Sequence, residues 1–169
     1  RTVEVVSLGG TVSGHHGAEV ASQEIGTSDG EPGQVFRSPH APVHPRTPDQ
    51  RITTRDEHGE VEWDEVRDFA ASGPHDRHVV WSSATGEVRF GPAIRYPDGT
   101  VVRHGAVPAK GASVIVPTHR YGGGRIGNLG AGSLDTLRSS IAFIDRVENL
   151  YAATGGVDAE TIDEVKARA

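Results

Sequence analysis

Short runs in which polar and apolar residues alternate set the pattern of this chain, and that two-residue period predicts half-buried β-strands. Thr2-Val3-Glu4-Val5-Val6-Ser7-Leu8 alternates in this way and is then punctuated by Gly9-Gly10. Residues 11–33 are poor in large apolar side chains and carry two turn signals, Ser28-Asp29-Gly30 and Pro32-Gly33. Gln34-Val35-Phe36-Arg37 predicts a short strand. Pro39, Pro42 and Pro45 then keep the following stretch extended, because proline fixes φ and restricts the residue before it. Arg51–Arg55 and Val61–Trp63 flank Asp56-Glu57-His58-Gly59 and predict a hairpin. His78–Trp81 and Glu87–Phe90 predict a second hairpin around Thr85-Gly86. Between them, Trp63–Phe69 reads either as one helical turn or as an extended link.

Tyr96-Pro97-Asp98-Gly99-Thr100 predicts a tight turn, since proline pre-sets φ and glycine accepts a positive one. Ala112-Ser113-Val114-Ile115-Val116 is the strongest strand in the chain. Gly122 to Gly132 is a glycine-rich loop, and Ser133 to Val147 fits a helix only in part. From Asp158 a helix is predicted, with Asp158 or Thr161 as its cap and Ile162 and Val165 as its apolar stripe.

Composition agrees with that pattern. Glycine and proline number 22 and 10 in 169 residues, while the hydrophobic share is 35% and the aromatic share 5%. Such a balance suits short strands joined by many turns, not a helical bundle. The net charge of −6 and pI near 5.8 give no general attraction to phosphate backbones or anionic lipid, so neither nucleic acid nor a membrane is an expected partner. Cysteine is absent, which removes disulfides and thiolate metal sites. No apolar run approaches the length of a transmembrane helix. The opening Arg1-Thr2-Val3-Glu4-Val5-Val6 reads as mid-strand and the closing Lys166-Ala167-Arg168-Ala169 as mid-helix, so a piece of a longer protein is expected.

Five patterns invite a chemical reading. Gly122-Gly123-Gly124-Arg125-Ile126-Gly127 satisfies G-x-G-x-x-G after a strand, but a dinucleotide site needs a helix opening at the third glycine. Here Gly130 and Gly132 fall where that helix would begin, and glycine costs about 1 kcal/mol against alanine in a helix. A turn is expected there instead, with no cofactor. Nine histidines suggest metal. His15 and His16 are adjacent, however, Pro42 separates His40 from His44, and Asp76-Arg77-His78 offers one carboxylate beside one imidazole, so no metal ligands are assigned. Glu57, Glu60, Glu62, Asp64 and Glu65 read as a solvated charged face. His119 and Tyr121 could lie near Ser113, yet no nucleophile elbow exists. No catalytic residue is assigned, and the chain is expected not to be an enzyme. Trp63, Trp81, Tyr96 and Tyr121 could stack on sugars but read better as core anchors.

Several segments in order resemble one family. Val5-Val6-Ser7-Leu8-Gly9-Gly10-Thr11-Val12 leads to Glu24-Ile25-Gly26-Thr27-Ser28-Asp29-Gly30-Glu31-Pro32-Gly33-Gln34-Val35-Phe36. Trp63, Val66, Asp68 and Phe69 follow, then Asp76-Arg77-His78-Val79-Val80 and Thr85-Gly86-Glu87-Val88-Arg89-Phe90-Gly91. Next comes Tyr121 through Gly132, and finally Ala153-Thr154-Gly155-Gly156 with Asp158-Ala159-Glu160-Thr161. Together they resemble the baseplate assembly proteins related to the phage baseplate J-like family. One departure is that Pro92-Ala93-Ile94-Arg95-Tyr96 replaces the short glycine turn the family carries after Phe90-Gly91, with the turn moved to Asp98-Gly99.

The resemblance implies a wedge component of a contractile phage tail or injection system. Its partners would be other wedge subunits, sheath-initiator or hub proteins, and further copies of itself. It would be assembled in the bacterial cytoplasm and be resident in the baseplate of the mature particle. No catalytic residues are carried over. The expected architecture is mainly β, with antiparallel short strands and long turns, a C-terminal linker and a helix start. Residues 1–121 would form the β-rich middle domain, and 122–169 the glycine-rich linker and the beginning of the J-like region. The alternatives are a carbohydrate-binding module of a tail or surface protein, which needs an exposed aromatic platform, and a metal-dependent hydrolase, which needs three converging histidine or acidic side chains.

Overall fold

The structure, a computed structural model, describes residues 10, 11, 13, 14, 16–158, 160 and 166–168. The strand expected over Thr2–Leu8 lies outside the described residues, as do His15, Thr161, Ile162 and Val165.

Seven strands form one sheet that curls almost closed. They are β2 (Gln23–Thr27), β3 (Val35–Arg37), β4 (Ile52–Asp56), β5 (Gly59–Glu65), β6 (His78–Trp81), β7 (Glu87–Phe90) and β10 (Ser113–Val116), in the order β2-β10-β4-β5-β6-β7-β3. Every neighbouring pair is antiparallel except β5–β6, which is parallel, with Asp64 opposite His78 and Glu65 opposite Val79. The mainly β architecture is therefore the expected one, and both predicted hairpins are present. Residues 63–65 continue β5, and the Val66 N–H donates to Val79 O, so the extended reading of Trp63–Val66 holds over the helical one.

Closure depends on a bulge. Val114 faces Gly26 and Ile115 faces Glu24, so Ile25 is the extra residue on β2. A bulge bends its strand and increases its twist. That bend carries Gly26 beneath the Phe36 ring of β3, the opposite edge of the same sheet, where a Cβ on residue 26 would stand 2.6 Å from Phe36 Cδ1.

Alternation fills the barrel from every side. Val114 and Val116, Ile52, Trp63, Val79 and Trp81, and Val88 and Phe90 are buried, with Ile25, Phe36 and Val61 packed against them. Phe90 meets Trp63 at 4.7 Å and Phe36 at 5.9 Å, edge to face in both cases. The Trp63 indole N–H donates to Thr54 Oγ1 at 2.9 Å, which satisfies the one polar atom it carries inside. A barrel this small is filled by its own side chains.

Two smaller ladders complete the fold. β1 (Ala18–Val20) pairs with β11 (His119–Tyr121), and Val43 bridges to Tyr121 on the other side. This ladder prolongs β2–β10 past a bend at Ser22 and Thr118, where the Ser22 N–H donates to Thr118 Oγ1. β8 (Ala93–Arg95) and β9 (Val101–Arg103) form a separate ribbon around the predicted Pro97-Asp98-Gly99 turn. Residues 166–168 are helical.

Candidate functional site

Each residue set with a chemical reading has a place in the fold. The glycine motif opens no helix of the kind a dinucleotide needs. Arg125–Gly127 make a single 3-10 turn with Gly124 before it, and Gly127 N–H donates back to Gly124 O. Two of the loop amides that would face a pyrophosphate are already taken. Gly123 N–H donates to His16 Nδ1 and Arg125 N–H to Asp158 Oδ1, both at 2.8 Å. The Asp158 carboxylate thus serves the 3-10 turn.

Among the described residues no three metal-ligating side chains meet. His40 packs on Tyr121 at 4.5 Å. His119 is 1% exposed, sits edge to face against Trp81 at 5.3 Å, and shares a hydrogen bond between Nδ1 and Pro117 O. Its Nε2 and the Trp81 Nε1 are buried without a hydrogen-bond partner among the described residues. His119 thus takes a core position against Trp81 of β6. His78 Nδ1 lies 2.8 Å from Ser72 Oγ, a serine–imidazole pair that no spacing rule suggested. Ser72 is buried, and the Asp76 carboxylate accepts the Gly73 N–H instead of orienting the ring. Nucleophile, base and orienting carboxylate are therefore not assembled into a relay.

The acidic cluster is a solvated face tied to arginines. Glu60 pairs with Arg55 at 2.7 Å and Asp64 with Arg51 at 2.6 Å. Glu65 forms a forked pair with Arg46. Nothing in residues 39–48 marks Arg46 as special, yet it is the polar centre of this side of the barrel. Its guanidinium lies over the Trp81 ring at 4.4 Å and also donates to Trp81 O and Ser83 Oγ. The cavity beside it, about 290 Å³, is lined by Arg46, Arg51, Asp64 and Glu65, charges already matched to one another.

The four candidate sugar-stacking aromatics divide. Trp63 and Trp81 are core, Tyr121 is half-buried, and Tyr96 is 43% exposed on the β8–β9 ribbon, a correction to its reading as a core anchor. The ribbon lies outside the barrel, which is why Tyr96 misses the core.

What the fold does display is apolar surface without an enclosing core. From Asn128 to Gly156 the chain forms a wide irregular loop held shut at its neck. Leu129 and Ala153 exchange N–H···O bonds, and Asn128 exchanges two with the Gly156 backbone. Asn149 donates to Gly130 O and Tyr151 O and accepts from Leu134 N–H. Two asparagine side chains thus replace a sheet ladder as the fastening. Six large apolar residues of this loop are exposed, with Phe143 fully so and Leu150 and Tyr151 at 74% and 85%, whereas Leu129, Leu137 and Val147 are half-buried. No helix of the described residues is long and apolar enough to cross a membrane. No protein-family model, curated protein or solved structure matches the chain.

Proposed function

We propose that this chain is a structural wedge subunit of the baseplate of a contractile phage-tail-like machine, acting by protein–protein contacts in assembly and sheath coupling. One observation carries the reading. Leu134, Ile141, Phe143, Ile144, Leu150 and Tyr151 stand exposed on a loop whose backbone is fastened. Burying apolar surface yields roughly 25 cal/mol per Å², and clustered exposed apolar side chains mark protein contacts. A filled barrel with matched surface charges and such a loop suits a part that works by being held between neighbours. The ordered run of segments resembling the baseplate assembly family names the neighbours: other wedge subunits, sheath-initiator or hub proteins, and further copies of the chain. The place of action is then the baseplate of the mature particle, assembled in the bacterial cytoplasm.

The test replaces Ile141, Phe143, Ile144 and Leu150 together by serine in the gene of the bacterium that encodes the chain. The variant chain is expected to keep its β circular-dichroism signal, while sheathed particles disappear from negative-stain micrographs. Normal sheathed particles carrying the variant would overturn the proposal, as would particles from which the tagged native chain is missing.

A further inference from the structure

The β8–β9 ribbon leaves both faces and both edges in water. All six of its strand residues are exposed, and a two-stranded ribbon without a covered face is marginal in water. Ile94 lies opposite Val102, and Tyr96 N–H donates to Thr100 O one pair further along, so Ile94, Tyr96 and Val102 share one face, which is apolar. Ala93 lies opposite Arg103 and Arg95 opposite Val101, so the other face carries two arginines on a diagonal. Every arginine on a barrel strand has a carboxylate close by: Arg37 and Arg89 on Glu87 at 2.5 and 2.6 Å, and Arg55 on Glu60 at 2.7 Å. Arg95 and Arg103 have none among the described residues. The one acid of the ribbon, Asp98, accepts the Thr100 N–H in the turn.

The backbone adds a direction. His104 N–H donates to Pro92 O and Tyr96 N–H to Thr100 O, so the even-numbered residues bond across the ribbon and the odd-numbered ones face outward. On β8 the outward row meets Pro97, which has no N–H. On β9 it offers the N–H and C=O of Val101 and Arg103 without interruption.

We infer that the β9 edge accepts an extended segment of another protein in which acidic and apolar residues alternate. Strand addition supplies the backbone bonds, the apolar side chains cover Ile94, Tyr96 and Val102, and the acidic ones meet Arg95 and Arg103. A second copy of this ribbon is the poorer occupant, because edge-to-edge pairing brings the same two arginines toward their copies. The inference goes beyond the baseplate proposal and does not depend on it.

Titration of the isotope-labelled 169-residue chain with a blocked peptide of alternating valine and glutamate, followed by amide spectra, tests it. Shifts are expected to concentrate on Ala93–Arg103, with Val101 and Arg103 largest. Affinity should be at least about tenfold above that for the valine–lysine peptide at low salt, and should fall as salt rises. The Arg95→Glu/Arg103→Glu double variant should invert the preference. Val101→Pro should abolish binding while the Ile94–Val102 pair stays formed. Equal affinity for both peptides, shifts centred elsewhere, no shift at millimolar peptide, or concentration-dependent pairing of the chain through the same amides would each overturn the inference.

Discussion

Gly26 on β2 lies directly beneath the ring of Phe36 on β3, so the two edges of the seven-stranded sheet meet at a residue without a side chain. Any Cβ there would come within 2.6 Å of Cδ1 and 2.9 Å of Cε1. The same ring also packs edge to face with Phe90, centroid to centroid at 5.9 Å, which limits where it can move. Gly26→Val is therefore expected to open the seam and to destabilise the chain by about 1–3 kcal/mol, the usual range for overpacking a formed core. Urea unfolding checks this. Phe36→Leu in the same background should recover part of the loss, since the two changes share one contact. An unchanged midpoint for Gly26→Val would mean that the seam is not closed.

Arg46 joins the proline-broken stretch to the barrel. Its fork reaches Glu65, two further donors reach Trp81 O and Ser83 Oγ, and its plane covers the Trp81 ring. Only 11% of the side chain is exposed. Arg46→Ala is expected to cost about 2–3 kcal/mol, in line with loss of charge-assisted bonds to groups that are then left unpaired. Arg46→Lys should recover less than half of it, because an ammonium cannot reproduce the planar fork or the stacking. Thermal unfolding of the two variants separates charge from geometry, and a lysine variant as stable as the native chain would refute the geometric argument.

Those two relationships also mark where legibility in the sequence stops. The hairpins at 52–65 and 78–90, and the ribbon turn, could be read because large apolar residues alternate there and because Gly59, Gly86 and Gly99 hold the positive φ their turns need. β10 could be read from its valines and isoleucine. β1 and β2 could not. Gln23-Glu24-Ile25-Gly26-Thr27 contains one large apolar residue, and it becomes a strand through its ladder with β10, which is remote in the chain. The parallel β5–β6 pair and the closure of the sheet are equally non-local. For the site, the sequence showed that the glycine loop lacks a helix after Gly127. It did not show that His16 and Asp158 occupy the loop amides, or that Asn128 and Asn149 fasten the loop that follows.

Glu87 is the carboxylate most bound to arginine. Arg89 and Arg37 both donate to it and hold its carboxyl below the usual glutamate range, and Arg55 does the same for Glu60. A depressed folded-state pKa contributes stability above the unfolded-state value of about 4.3, and that contribution is lost as pH falls through the lowered value. Glu87→Gln is thus expected to lower stability at neutral pH and to match the native chain under strongly acidic conditions, where both side chains are uncharged. Unfolding midpoints measured from pH 7 downward test the sign. A gap that widens on acidification would contradict it.

Ligand binding is expected to be absent at the two decoy motifs. With the Gly123 and Arg125 amides already bonded, calorimetric titration with NAD, ATP or GTP should release no heat. Chelator-washed protein should retain no stoichiometric zinc by elemental analysis, because among the described residues no three metal-ligating side chains meet. Saturable micromolar nucleotide binding would reopen the dinucleotide reading, and about one tightly held zinc per chain would reopen the hydrolase reading.

Asn149 gives the sharpest separation of local from global stability. Its amide nitrogen donates to Gly130 O and Tyr151 O, and its oxygen accepts the Leu134 N–H, so one side chain ties three backbone points of the exposed loop. None of those points belongs to the barrel core. Loop contacts of this kind set a sub-global opening, whereas strand ladders set the global one. Asn149→Ala is therefore expected to raise amide exchange at Gly132 and Leu134 by about tenfold or more, since each bond lost is worth about 1 kcal/mol and three are lost together. The urea midpoint, which reports the barrel, should stay where it was. Asn149→Asp keeps the acceptor and loses both donors, so Leu134 should stay better protected in that variant than in the alanine one. If the urea midpoint fell along with the loop protection, the loop and the barrel would be one cooperative unit. The loop's apolar residues would then help hold the barrel.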